Sequence, residues 1–416
     1  MNVLHLSCLV CGKTYRPDQV DYVCPDHGDA GVLDVVFDYE RIAGTLDRDA
    51  ISGDDMWALR PLLPVGEGAK LPPLRIGGTP LYRTPRLAKR AGMAAVWIKD
   101  EGVQPTGSLK DRASAMAIVK ADERNAGVIT TASTGNAAAA LAGVAASVGR
   151  ATVIFVPAAA PEAKVAQLLA YGATVLLVDG SYDDAVELCL RSAEKFDWYN
   201  RTTGFNPYMS EGKKTVAHEI ARQLDWHMPD AVFVSVGDGC IVGSLWKGFN
   251  DLLELGWIEG IPRIIGVQAA GSNFLAEAWA HGEDVLTKPP ILPMTVADSI
   301  ASGLPRDRIK AMRAIVQSDG AFVTVTDDEI LAAIPTVASH AGVFGEPAAA
   351  ASWAGVEVAR ETGLVSEDDR VVVLSTGTGL KDVPAAMRAV AETGVRAHHI
   401  APELDSVAAA LEETSP

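Results

Sequence analysis

Long apolar runs, aromatic side chains, a disulfide framework and positive charge are all scarce in this chain of 416 residues. No apolar run approaches the ~20 residues needed to span a bilayer. The start, Met1 to Leu6, lacks the positive and apolar stretches of a secretory signal. The five cysteines do not look like a disulfide framework. Together these absences point to a cytoplasmic protein. Lysine and arginine number 36 against 53 aspartates and glutamates, a net charge of −17. That balance argues against nucleic acid or an anionic membrane as a partner. It also means that an anionic small molecule must be captured by local groups, against the global field. Aromatics are only 6 %, and alanine, glycine and valine are abundant, which favours close packing of helices on sheets. There are no internal repeats or low-complexity tracts, and the length supports two or three domains.

What is present begins with residues 1–40, which stand apart. Cys8 and Cys11, then Cys24 and His27, form two ligand pairs at zinc-ribbon spacing. Gly12, Pro25 and Gly28 suit tight knuckles. Four protein ligands leave no open position, so the set reads as a structural zinc module rather than a catalytic metal. The plainer alternative is a small β-module whose cysteines hold nothing.

A charged, then Pro/Gly-rich connection covers 41–75. Beyond it apolar strands (96–99, 128–131, 151–156, 174–178, 231–236, 371–374) alternate with helical stretches (137–148, 161–171, 182–196). Several strands run into glycine loops, the signature of doubly wound parallel sheets. The expected fold is α/β, with two doubly wound three-layer domains. The larger takes 76–125 and 223–400, and the smaller takes 126–222. The alanine- and glutamate-rich stretch after about Val390 reads as helix with a frayed end, and 401–416 as a tail.

Four loops carry chemistry. Pro105-Thr106-Gly107-Ser108-Leu109-Lys110-Asp111-Arg112 places a lysine at a turn of small residues. A lysine there can be the Schiff-base partner of an aldehyde cofactor and a general base; alone it would read as solvated helix surface. Ser133-Thr134-Gly135-Asn136 opens an alanine-rich helix. Hydroxyls and free N–H groups at a helix start make an anion site, or simply a cap. Gly237-Asp238-Gly239-Cys240-Ile241 is a strand-to-helix turn suited to phosphate. Ser375-Thr376-Gly377-Thr378-Gly379-Leu380-Lys381-Asp382 comes last. In this order the loops resemble pyridoxal-phosphate (PLP) enzymes of the tryptophan-synthase-β type, fold type II, and within them the threonine synthase family.

The resemblance implies a set of roles. Lys110 would hold the cofactor and shuttle the substrate's α-proton. Asn136 would meet the cofactor's phenolic oxygen. Gly237, Asp238, Gly239, Cys240 and Ile241 would cradle its phosphate through backbone N–H groups, with Asp238 where many relatives carry asparagine. Thr376 would set a neutral hydroxyl against the pyridine nitrogen, making a milder electron sink than a carboxylate partner would. Ser133, Thr134 and Gly135 would bind the substrate carboxylate, and Glu346-Pro347 fits the same family's large domain. The implied reaction converts O-phospho-L-homoserine and water to L-threonine and phosphate, in a homodimer. One departure stands out. In the segment 206–215 the family carries an arginine for the substrate's phosphate where this chain has Met209. A thioether cannot donate to phosphate. Lys214, aligned with the family's lysine, is the expected substitute, and Lys213 reads as a solvated helix-surface charge. Met209 also raises an alternative, a β-replacement or β-elimination enzyme acting on a serine- or threonine-type amino acid.

Overall fold

A computed structural model describes residues 1–133, 135–160 and 162–414. Three sheets organise them. A small antiparallel sheet contains β1 (Val3–Cys8), β2 (Thr14–Tyr15) and β3 (Leu33–Phe37), in the order β2-β1-β3. The largest sheet uses β4 (Leu81–Arg83) and β5 (Ala95–Asp100) before the middle of the chain. A second parallel sheet follows, with β6 (Val128–Ala132), β7 (Ala151–Pro157), β8 (Thr174–Val178) and β9 (Tyr199–Asn200). The chain then completes the largest sheet with β10 (Ala231–Ser235), β11 (Arg263–Ala269), β12 (Ala321–Val325) and β13 (Arg370–Ser375). Its order is β12-β11-β10-β13-β5-β4, and that of the second sheet is β8-β7-β6-β9.

The largest sheet is parallel except at its edge, where β4 runs antiparallel to β5. Its central strands are mostly apolar and almost wholly buried, as expected of strands covered on both faces: every residue of Ala231-Val232-Phe233-Val234-Ser235 is buried. β13 returns between β10 and β5, in register at Phe233↔Val373 and Val373↔Ile98. The strand order therefore reverses beside β13, and a crevice opens outside the carboxyl ends of the strands at such a switch point. All four chemical loops leave carboxyl ends: β5 leads to Lys110, β6 to Ser133, β10 to Gly237 and β13 to Thr376.

The helix Lys110–Glu123 is buried along most of its length and lies against the short helix Tyr208–Lys213. A Cβ at Gly212 would stand 2.2 Å from the carbonyl oxygen of Arg112. Only glycine permits that approach, and it brings the backbone of residue 213 against the lysine helix. Two residues past Lys110, the fully buried Arg112 locks the same helix in place. Its guanidinium makes a fork to Glu101 (2.8 and 2.7 Å) and reaches Glu219 (2.6 and 2.8 Å) and Thr215 (2.9 Å). Lys99 of β5 joins at 2.7 Å from Glu219. Two cations thus meet two carboxylates, and the Arg112 guanidinium and the Lys99 ammonium hold the carboxyl of Glu219 down at about 2 against the opposing pull of its burial.

The N-terminal strands do not stand apart as expected. Leu6, Leu33, Val35 and Phe37 belong to the same core as Met116 and Phe249. Asp34 is paired with Lys247 of the helix Cys240–Glu254 and lies 2.8 Å from Arg313. At the other end, the stretch after Val390 is not one helix. The helix Val383–Ala391 stops, and a separate helix, Leu404–Thr414, follows after a gap.

Removing the Arg112 fork leaves Glu101 without its partner in the interior. Arg112→Met should therefore cost about 3–5 kcal/mol of stability in a denaturant titration. A loss below about 1 kcal/mol would show that the network is solvated rather than buried.

Candidate active site

The loop before Lys110 is held by its own residues. The Thr106 N–H donates to Asp111 at 2.7 Å and the Thr106 hydroxyl bonds the same carboxylate, whose pKa burial pushes up to about 6. Neighbouring loops are stitched to it. Leu109 N–H donates to Thr376 O (3.0 Å), Thr378 N–H to Gly107 O (3.0 Å) and Glu346 N–H to Gly377 O (3.1 Å). The lysine turn, the Thr376 loop and the Glu346 loop are therefore one hydrogen-bonded unit.

Lys110 keeps some surface exposure but lies deep among protein atoms. Burial, and after it the like charges of Lys213 and Arg201, pull its amine down to about 8; Cys240 and Glu346 oppose the shift. At that value roughly a tenth of the amine is uncharged at pH 7, against fewer than about one in a thousand for an ordinary lysine. An uncharged amine is what attack on an aldehyde, or acceptance of a proton, requires.

The glycine loop after β10 turns through Gly239, at φ +87°, into the helix Cys240–Glu254, and no side chain caps that helix. Its first N–H groups are thus left for a ligand. The carboxylate of Asp238 faces elsewhere, accepting from the Ser302 hydroxyl at 3.1 Å. Lys213 Nζ lies 2.6 Å from the Cys240 sulfur, and Lys310 Nζ reaches the Ser210 hydroxyl at 3.2 Å. An uncapped helix start with two buried ammoniums beside it suits a phosphate. With Lys110 nearby, the set fits a phosphorylated aldehyde.

Across the cleft, Asn136 starts its helix with its amide 2.7 Å from the Glu346 carboxylate and 3.5 Å from Ser299. Ser133 Oγ accepts from the Gly135 N–H at 3.1 Å, while Thr134 lies outside the described residues. A cavity of about 310 Å³ opens here, lined by Thr106, Gly135, Asn136, Glu346 and Lys381 among others. Burial raises the Glu346 carboxyl above the usual carboxylate range.

The structure thus gathers Lys110, Asn136, the Gly237–Ile241 loop and the Thr376 loop around one cleft. It does not bring Lys214 there. That ammonium is fully buried between Glu211 (2.7 Å) and Asp251 (2.8 Å), over the ring of Phe37. The expectation is corrected on both lysines, because neighbouring helical residues point about 100° apart. Lys213, read as solvated, is 0 % exposed and faces the cleft, whereas Lys214 faces the core. Met209 is also fully buried, in the core. Arg201, just past β9, was missed. It is 1 % exposed and near enough to lower the Lys110 amine. Its sequence signal was faint, a lone arginine among turn residues.

At the N-terminus, the ligand atoms of Cys8, Cys11, Cys24 and His27 all lie within 4.8 Å of one another. His27 Nδ1 is 3.5 Å from the Cys24 sulfur and 3.9 Å from that of Cys8. Zinc bonds of about 2.0–2.3 Å at tetrahedral angles put ligand atoms about 3.5–3.8 Å apart, so the donor set fits that ion.

The fold and this cleft define a PLP-dependent enzyme, and the family described as pyridoxal-phosphate dependent enzyme matches residues 73–377, which contain all four loops up to Gly377. A threonine synthase of Methanocaldococcus jannaschii is 38 % identical over 389 residues, covering 92 % of this chain and 95 % of that one. A threonine synthase of Methanosarcina acetivorans is 40 % identical over 383 residues, covering 91 % and 92 %. The chain belongs to the threonine synthase family of PLP-dependent enzymes. The processed form of threonine deaminase isoform 2 from Solanum lycopersicum has a TM-score of 0.66 at 24 % identity, over 76 % of this chain and 83 % of that one, which speaks for the fold alone. Among the described residues no helix is long and apolar enough to cross a membrane.

In protein stripped of cofactor, acylation of Lys110 read by mass spectrometry should rise with pH to a midpoint near 8 and then level. Lys213→Met removes a like charge, so Lys110 should hold its proton more firmly and the midpoint should move up. A wild-type midpoint near 10.5, the ordinary lysine value, would contradict the burial argument.

Proposed function

We propose that this chain converts O-phospho-L-homoserine and water to L-threonine and inorganic phosphate, and that its N-terminal strands hold one structural zinc ion. The observation that carries the first reading is the charge around Lys110. Lys213, Arg201 and Lys110 share a buried cleft in which Glu346 is the facing carboxylate. Such a site is complete only with anions in it.

PLP, when bound, supplies an electron sink for the substrate's α-carbon. Lys110 is its attachment point, and the free amine then takes the α-proton and returns it, as its depressed pKa allows. Backbone N–H groups at Gly239 to Ile241 hold the cofactor's phosphate, with Lys213 as counter-charge. Asn136 donates to the phenolic oxygen and Thr376 offers a neutral hydroxyl to the ring nitrogen. Ser133, Gly135 and the start of the Asn136–Ser147 helix receive the substrate's carboxylate. Overall the Cγ–O bond breaks with its electron pair leaving on phosphate. Cβ gives up a proton and Cγ gains one, and the oxygen of water bonds to Cβ while the proton it releases goes to the departing phosphate. A substrate that loses only hydroxide or ammonia would leave Arg201 without an anion, which disfavours the serine- or threonine-type alternative.

The purified holoprotein should release phosphate from O-phospho-L-homoserine and little ammonia from serine or threonine. Lys110→Ala should lose the cofactor's visible absorbance and all turnover. Ammonia release from an unphosphorylated amino acid, without phosphate release from the ester, would move the assignment to the alternative. Elemental analysis should find about one zinc per chain. Because the N-terminal strands share a core with the helix Cys240–Glu254, Cys24→Ser should lower the melting point of the whole chain. A metal-free preparation that melts like wild type would count against the zinc.

A further inference from the structure

Most of the buried cations among the described residues are ion-paired. Arg112 and Lys99 have Glu101 and Glu219, and Lys214 and Lys247 have Glu211, Asp251 and Asp34. Arg201 has no ion-pair partner among the described residues, and Asp111 acts on it only from a distance. Its Nε donates to the Ser114 hydroxyl and its Nη1 to the Thr203 hydroxyl, both at 3.4 Å, and its Nη2 has no partner. A guanidinium 1 % exposed and held only by two long bonds to neutral hydroxyls is an expensive arrangement. Burial accordingly pulls its pKa down to about 10.

The position says which anion it awaits. Ser114 lies four residues after Lys110, hence on the same face of the helix, so Arg201 sits alongside the reacting amine. The cofactor's phosphate has a separate cradle at the uncapped start of the Cys240–Glu254 helix, with Lys213 against Cys240. Thr203 links the two places. Its Oγ1 receives Arg201 Nη1 at 3.4 Å and Lys213 Nζ at 3.3 Å, which frees its own proton to be donated onward. The family's usual arginine position is filled by Met209, buried in the core, so a cation for a second phosphate has to come from another element. The Nη edge of a guanidinium matches two oxygens of a phosphate monoester.

We propose that Arg201, assisted by the Thr203 hydroxyl, is the receptor for the phosphate of the amino-acid substrate, and is the residue by which this chain selects a phosphorylated leaving group. The inference rests on the functional reading above. It assigns the specificity to an arginine after β9 rather than to the segment 206–215.

The test uses holoenzyme and two amino acids with the same carbon chain: 2-amino-5-phosphonopentanoate, a phosphonate isostere of the substrate, and L-norvaline, which lacks the phosphonate. Binding is read from the perturbation of the cofactor's visible spectrum. Arg201→Gln should weaken the phosphonate by roughly 30-fold or more, since it removes one side of a buried charged pair. It should keep the cofactor, and any change that acts through Lys110 should fall on both ligands alike, so the loss is read in the ratio of phosphonate to norvaline affinity. Arg201→Lys should recover part of the loss, as a point charge without the fork. The inference is overturned if Arg201→Gln binds the phosphonate as wild type does, or loses phosphonate and norvaline alike. Loss of cofactor from the variant also overturns it, by placing Arg201 at the cofactor's phosphate. If wild type releases phosphate from O-phospho-L-homoserine and Arg201→Gln keeps its KM, only the Arg201 assignment fails. If wild type neither releases phosphate nor prefers the phosphonate to norvaline, the functional reading fails with it.

Discussion

The structure turns on a concentration of like charge in the interior. Lys110, Arg201 and Lys213 are packed into one cleft of a chain whose net charge is −17, with Glu346 as the opposing carboxylate. Left to relax, three cations in a poorly solvated space would separate or draw in carboxylates. What prevents this is the rigidity of the elements that carry them. Lys110 is pinned by the Arg112 fork and by backbone bonds to the Thr376 loop, Lys213 by the close approach at Gly212, and Arg201 by the end of β9. The repulsion is then expressed as chemistry. Burial first, and the like charges after it, favour Lys110 without its proton, the form that attack on an aldehyde requires.

Two other buried clusters show what this fold does when charge serves only the structure. Around Arg112 and around Asp251, cations and carboxylates are matched and the side chains interlock across elements far apart in sequence. The second cluster also ties the N-terminal strands to the Cys240–Glu254 helix through Asp34 and Lys247. The helix with the uncapped start is thereby braced from behind. The difference between matched clusters and an unmatched cleft separates scaffold from site more sharply than burial does, because both are equally buried.

Much of this was legible in the sequence, for a physical reason. Apolar strands that end in glycine loops announce parallel sheets, and ligands bind at the carboxyl ends of such strands, so the Lys110, Ser133, Gly237 and Thr376 loops could be placed together before any contact was known. What could not be read was direction. Lys213 and Lys214 are adjacent, and which one faces the cleft depends on how the Tyr208–Lys213 helix rotates when Gly212 meets the lysine helix. Arg201 was invisible because its importance lies in the partner it lacks, a property of the folded chain. The N-terminal strands read as separate because their ligand spacing is local, whereas their attachment, through Asp34 to Lys247 and Arg313, spans more than 200 residues. The broken helix near the C-terminus reflects two residues, not composition. Gly394, at φ +76°, and Pro402 lie between the two helices, and neither residue continues a helix.

The claim that this cleft expels phosphate as a leaving group, rather than hydrolysing a phosphate ester, is tested most directly by tracing oxygen. Turnover of O-phospho-L-homoserine in heavy-oxygen water places the label wherever water attacks. The account predicts labelled hydroxyl oxygen on Cβ of threonine and unlabelled inorganic phosphate, because the bond that breaks is Cγ–O. Label in the phosphate, with unlabelled homoserine as the organic product, would mean that water attacks phosphorus and would contradict it.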